Sequence, residues 1–213
     1  LVNPGDEIIL PAPFWVSYLE LIKMVEGKPV VVTTEETASF KLTPEQLRAS
    51  ITPKTKAIIL NNPSNPTGMM YSKEELKALT DVCVEYDLYI IADEIYYCLV
   101  YDGLEFTSVA ALGEEVRSRT LLINGVSKAY AMTGWRLGYI CAPAPLAKQM
   151  LKIHQYAIMC APTTAQLAAI TALRDCDEDV AAMTAEYDRR RRLIYNGLHD
   201  IGIESFEPEG AFY

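Results

Sequence analysis

With 28 acidic side chains against 19 basic ones, a chain of 213 residues carries a net charge of −9, which argues against nucleic acid as a partner, because a phosphate backbone needs a basic face. Half of the residues are hydrophobic, enough to bury the core of one large domain or one and a half, yet no apolar run is long enough to cross a bilayer. Five cysteines (Cys83, Cys98, Cys141, Cys160, Cys176) form an odd set without a CxxC pair, and several lie in apolar runs, so they read as reduced core thiols of a cytoplasmic protein.

Asn3-Pro4-Gly5-Asp6 is a turn, and Glu7 to Leu10 is a short strand leading into Pro11-Ala12-Pro13-Phe14-Trp15. A helix is expected from about Val16 to Val25. Gly27 and Pro29 end it, and Val30-Val31-Val32 makes a β-branched strand. Thr43-Pro44-Glu45-Gln46 caps a short helix running to about Ile51. Lys56 to Leu60 is the next strand, and it stops at Asn61-Asn62-Pro63-Ser64-Asn65-Pro66-Thr67-Gly68, a cluster that continues no regular element.

Ser72-Lys73-Glu74-Glu75 is a capping box, behind which Leu76, Leu79, Val82 and Cys83 repeat at helical spacing to about Tyr86. Leu88 to Ala92 is an apolar strand that stops at Asp93-Glu94-Ile95-Tyr96. This recurrence of strand, loop and helix predicts βαβ units: an α/β fold with a mostly parallel sheet sandwiched by helices. Thr120 to Ile123 reads as a buried strand, and so does Gly138 to Ala142. Between them lies Asn124 to Tyr139, NGVSKAYAMTGWRLGY, with Lys128 and Arg136 eight residues apart. Helices are expected from Pro145 to about Met159, from Thr163 to about Arg174 and from Asp177 to about Asp200. The run Arg189-Arg190-Arg191-Arg192 follows Glu186 and Asp188 and reads as an ion-paired, solvated helix face. His154 and His199 have no companions at ligand spacing, so no metal is implied. Leu1 is not an initiator methionine, no signal peptide opens the chain, and after Gly202 the residues from Glu204 only begin a new unit, so the chain reads as cut at both ends.

Three apolar strands thus end in polar residues, before Asn65, Asp93 and Lys128, and parallel neighbours would bring those ends to one edge, where ligands bind in open α/β sheets. Taken singly, Asn65 could be a turn former, Asp93 a helix cap, Tyr96 and Trp15 core aromatics, and Arg136 half of a surface ion pair. Taken as a string, the segment around Lys128 resembles the lysine signature of the class I aminotransferases of fold type I, in Gly125, Ser127, Lys128, Gly134 and Arg136. The likeness runs in order from Asn3-Pro4-Gly5-Asp6 to Glu209-Gly210-Ala211-Phe212-Tyr213.

That resemblance implies a pyridoxal 5′-phosphate enzyme, most like bacterial aspartate aminotransferases, which transfers an amino group from an L-amino acid to a 2-oxo acid. Lys128 would carry the cofactor as a Schiff base, and Asp93 in an Asp-x-x-Tyr pattern would keep the ring nitrogen protonated. Tyr96 and Asn65 of Asn-Pro-x-Gly would bond the ring oxygen, with Asn65 also reaching the substrate carboxylate. Arg136 would fork onto the phosphate, and Trp15 would stack on the ring beside the substrate. Residues 1–185 would form the large domain, and 186–213 a linker helix and the start of a small C-terminal domain. The family also implies a homodimer. Gly125 departs from the pattern by standing where many relatives place a phosphate-binding serine, a role Ser127 could take. Rival readings are an aromatic aminotransferase or a β-lyase acting on sulfur amino acids on the same fold, or the ligand-sensing half of a transcription regulator.

Overall fold

In a computed structural model describing residues 1–213, six strands form one sheet: β1 (Glu7–Ala12), β2 (Lys28–Thr33), β3 (Thr55–Asn61), β4 (Tyr89–Asp93), β5 (Thr120–Gly125) and β6 (Gly138–Cys141), in the order β2-β1-β3-β4-β5-β6. All neighbours are parallel except β5 and β6. The helices are α1 (Ser17–Met24), α2 (Pro44–Ser50), α3 (Lys73–Glu85), α4 (Glu114–Arg117), α5 (Ala144–Ala157), α6 (Thr163–Asp175) and α7 (Asp177–Asp200). Only α4 has no counterpart in the sequence reading. At four residues it is too short for apolar periodicity to register.

The continuous apolar runs in β1 and β3 follow from burial on both faces. Ile9, Ile58, Leu60, Ile90 and Ala92 pack on one face with Leu47 of α2 and Leu76, Leu79, Val82 and Cys83 of α3. Ile8, Leu10, Ala57 and Ile59 point the other way, against Tyr18 and Ile22 of α1. The capping box expected at Ser72 forms with Glu75 and opens α3, and the Thr43 cap proves to be a second box, formed with Gln46 at the start of α2. No helix is long and apolar enough to cross a membrane.

Three expectations need correction. Residues Gly138 to Cys141 are all exposed rather than buried. β6 is the sheet edge, and α5 stands off from it across an open cavity of about 770 Å³. All five cysteines are free, but only Cys83 lies in the core, where burial pushes its thiol up to about 12; Cys141 and Cys160 are exposed. Arg189, Arg190 and Arg192 form the ion-paired helix face expected of them. Arg191 is buried instead, its guanidinium 4.9 Å from the centre of the Tyr101 ring.

After α7 the chain folds back as a strap. Glu209 and Gly210 donate their backbone N–H groups to Gly68 O at 2.9 and 2.8 Å, and Ala211 donates to Leu99 O at 2.9 Å. Gly68 has φ +69°, and a Cβ on it would fall 2.6 Å from Cβ of Pro208. Gly68→Ala therefore adds backbone strain to a clash with the strap, and should cost about 2–4 kcal/mol. Urea unfolding of the variant should show a correspondingly lower midpoint, and an unchanged midpoint would mean that the strap is not held there.

Candidate active site

A cavity of about 300 Å³ opens at the carboxyl ends of β3, β4 and β5, and Trp15, Asn65, Asp93, Tyr96, Ser127, Lys128 and Arg136 all line it. The register brings them together: Asn61 pairs with Asp93, and Asp93 with Ile123, five residues before the lysine. Asn61 then ties two strand ends, donating Nδ2–H to Asp93 O at 3.0 Å and accepting the Asn65 N–H at 2.7 Å.

The Asp93 carboxylate accepts from the Tyr18 hydroxyl at 2.6 Å and from the Ile95 N–H at 3.2 Å. Burial pushes this carboxyl above the usual carboxylate range, while Tyr18, Ile95 and the charge on Lys128 act in the opposite direction. Burial and the Asp93 charge hold Tyr18 well above an ordinary phenol, so it stays a proton donor. The site therefore contains an acid that a further hydrogen-bonded cation would stabilise.

Lys128 follows β5 in a loop whose Val126 and Met132 pack on Ala169 and Ala172 of α6. Its Nζ lies 5.2 Å from the Phe212 ring centre and 5.8 Å from that of Tyr96. Arg136 sits in left-handed backbone (φ 52°) after a short 3₁₀ turn, Thr133–Trp135, and donates Nη1–H to Thr133 O at 2.8 Å. Every other arginine of the chain makes an ion pair, and Arg136 makes none. An exposed guanidinium with its outer edge free, at the rim of a cavity, suits an anion with oxygens to share.

Trp15 is 44% exposed and meets Tyr18 edge-on with ring centres 5.4 Å apart, so it is not a core aromatic. Gly125 faces Gly138 across the β5–β6 pair, and a Cβ there would come within 3.0 Å of Gly138 Cα and of Leu137 O. The approach of β6 thus leaves little room for a serine at Gly125, whereas Ser127 faces the cavity.

The sequence reading missed Tyr18, Asn61, Phe212 and Tyr213. Tyr18 sits one helical turn after Trp15, and Asn61 closes a strand it shares with the Asn65 loop; either spacing could have flagged them. Nothing local flags Tyr213, whose hydroxyl lies 3.0 Å from both Tyr96 Oη and Asn65 Nδ2 across more than a hundred residues.

Comparison with known proteins gives a consistent picture. A family model described as aminotransferase class I and II matches residues 1–213. The chain is 50% identical to the putative aminotransferase YugH of Bacillus subtilis over all of its own length and 55% of that relative. It is 46% identical to an aspartate aminotransferase of Geobacillus stearothermophilus, spanning 54% of it. Among solved structures, the aspartate aminotransferase of Rhizobium meliloti superposes with a TM-score of 0.96 at 41% identity, covering 99% of this chain and 53% of that one. An aromatic aminotransferase of Pyrococcus horikoshii does so with 0.96 at 39% identity, covering 99% and 56%. The chain spans about half the length of the curated relatives it matches.

Proposed function

The chain belongs to the class I and II aminotransferases, and from that premise we propose that it forms the cofactor-binding part of a transaminase that uses pyridoxal 5′-phosphate and takes aspartate as its amino donor and a 2-oxo acid as acceptor. In this reading residues 1–185 are the large domain, and residues 186–213 are a linker helix with the start of a smaller one. The observation that carries the proposal is the convergence of one lysine, one half-buried acid, two hydrogen-bond donors and one unpaired arginine on a single cavity.

When bound, the cofactor supplies an aldehyde and an electron-accepting pyridine ring. Lys128 would bond that aldehyde and, once displaced by the substrate amine, move the substrate's α-proton on its Nζ. Asp93 would hold the proton on the ring nitrogen, the cation its half-buried carboxylate calls for. Asn65 and Tyr96 would donate to the ring oxygen and favour its anion, and the Asn65 N–H not spent on Tyr213 would be shared between that oxygen and the substrate carboxylate. Trp15 would cover the ring and border the substrate. Arg136 would grip the phosphate, joined by the Ser127 hydroxyl.

The whole protein of which this chain would be the cofactor-binding part, given pyridoxal 5′-phosphate, aspartate and 2-oxoglutarate, should form oxaloacetate, followed by a coupled reduction to malate. Faster turnover of phenylalanine or tyrosine would replace the aspartate reading by the aromatic one. No turnover of any amino acid, with cofactor still bound, would overturn both in favour of a sensor. Arg136→Lys keeps the charge and loses the fork, so it should weaken cofactor binding by roughly tenfold or more. Unchanged affinity in equilibrium dialysis would remove Arg136 from the phosphate site.

A further inference from the structure

The strap that ends in Tyr213 is fixed from several sides. Arg191 donates Nη1–H to Pro208 O at 2.8 Å and to Glu207 at 3.2 Å, while its other nitrogens bond Asp102 at 2.7 Å and Asp188 at 2.9 Å. The Met70 N–H donates to the Glu209 carboxylate at 2.9 Å, the Tyr101 N–H to Glu209 O at 3.0 Å, and the Tyr101 hydroxyl to Ala211 O. A Cβ on Gly210 would come within 2.7 Å of Pro63 Cβ, so the strap lies directly against the loop that carries Asn65. Tyr213 then meets Tyr96 edge-on, with ring centres 5.8 Å apart.

Hydrogen-bond inventory gives this contact a direction. The Asn65 amide has two N–H donors and spends one on Tyr213 Oη. Tyr96 and Tyr213 share one hydrogen bond at 3.0 Å, and whichever hydroxyl donates, one phenolic proton of the pair remains. The trio is left with one N–H and one O–H. Asn65, Tyr96 and Tyr213 all line one cavity, where a bound acceptor would take these two donors.

We propose that Tyr213 is a positioning residue for the cofactor's ring oxygen, its hydroxyl orienting Asn65 and Tyr96 so that one amide N–H and one phenolic O–H are held for that oxygen. The proposal rests on the cofactor reading above. It adds to the site a residue from the returning strap, beyond the sheet edge that supplies the rest. Donors to the ring oxygen favour its anion and so lower the pKa of the lysine-linked nitrogen. Losing part of their order raises it.

The test is Tyr213→Phe, which keeps the ring packed on Tyr96 and Phe212 and removes only the hydroxyl. Asp93 from β4, Tyr18 from α1, Lys128 and Arg136 from the loop after β5, and Tyr96 face the same cavity and are the same in both proteins. The visible absorbance of the bound cofactor, titrated with pH, should therefore show its midpoint moved upward by roughly half a unit to one unit in the variant, and equilibrium dialysis should show roughly three- to tenfold weaker binding. A role confined to packing would move neither. A wild-type protein that binds the cofactor and titrates, beside a variant with the same midpoint and affinity, overturns the part given to Tyr213 alone. A wild-type protein that takes up no cofactor overturns the cofactor reading and this proposal with it.

Discussion

Lys128→Ala should reduce transamination by at least about four powers of ten, because it removes both the group that holds the cofactor covalently and the base that moves the α-proton; base catalysis alone is worth about 10²–10⁴. The fold should survive. Lys128 is only half-buried and makes no ion pair, and its loop is held by Val126 and Met132 on α6 rather than by the lysine itself. Lys128→Arg keeps the charge near the rings of Tyr96 and Phe212 and should be equally inactive, since a guanidinium neither bonds an aldehyde nor gives up a proton near neutral pH. Borohydride treatment of the loaded protein followed by peptide mapping supplies a readout independent of rate. The label should appear on Lys128 and vanish in both variants. Labelling of Lys148 or Lys152, on the exposed helix α5, would move the cofactor elsewhere and end the assignment.

Much of this arrangement was legible because the relevant signals are local. The cap at Thr43, the capping box at Ser72, apolar strands broken by Asn, Asp and Gly, and the helical spacing of Leu76, Leu79, Val82 and Cys83 each specify an element within a few residues. The parallel order then places the ends of β3, β4 and β5 side by side, which is why Asn65, Asp93 and Lys128 could be grouped before any contact was seen. What stayed hidden depends on packing between distant segments. Gly138 to Cys141 are as apolar as a buried strand, and only their place at the sheet edge leaves them exposed. Arg191 looks like its three neighbours, but it is the one whose guanidinium is buried against the strap, bonding Pro208 O and Glu207. Tyr213 reaches Asn65 across 148 residues, beyond any periodic signal.

Asp93→Asn should slow the half-reaction with aspartate by about 10²–10³, the effect expected when a preorganised charge worth about 3–4 kcal/mol is lost where charge develops in the transition state. The reason lies in the hydrogen bonds around the carboxylate. Its two oxygens each have a donor, Tyr18 on one and the Ile95 N–H on the other, and a negative charge remains to hold a protonated ring nitrogen. An asparagine offers one acceptor and two N–H groups, so either Tyr18 turns to accept or a buried donor loses its partner, and no anion is left in either case. Without that anion the ring nitrogen loses the reason to keep its proton, and with it most of its capacity to accept electrons. Tyr18→Phe makes the informative contrast: the charge on Asp93 remains but one of its two donors is gone, so the loss should be nearer tenfold. Single-turnover absorbance of the bound cofactor after mixing with aspartate measures both variants directly. An Asp93→Asn rate within threefold of wild type, with Lys128 still labelled by borohydride, would mean that the cofactor binds here without its ring nitrogen meeting Asp93.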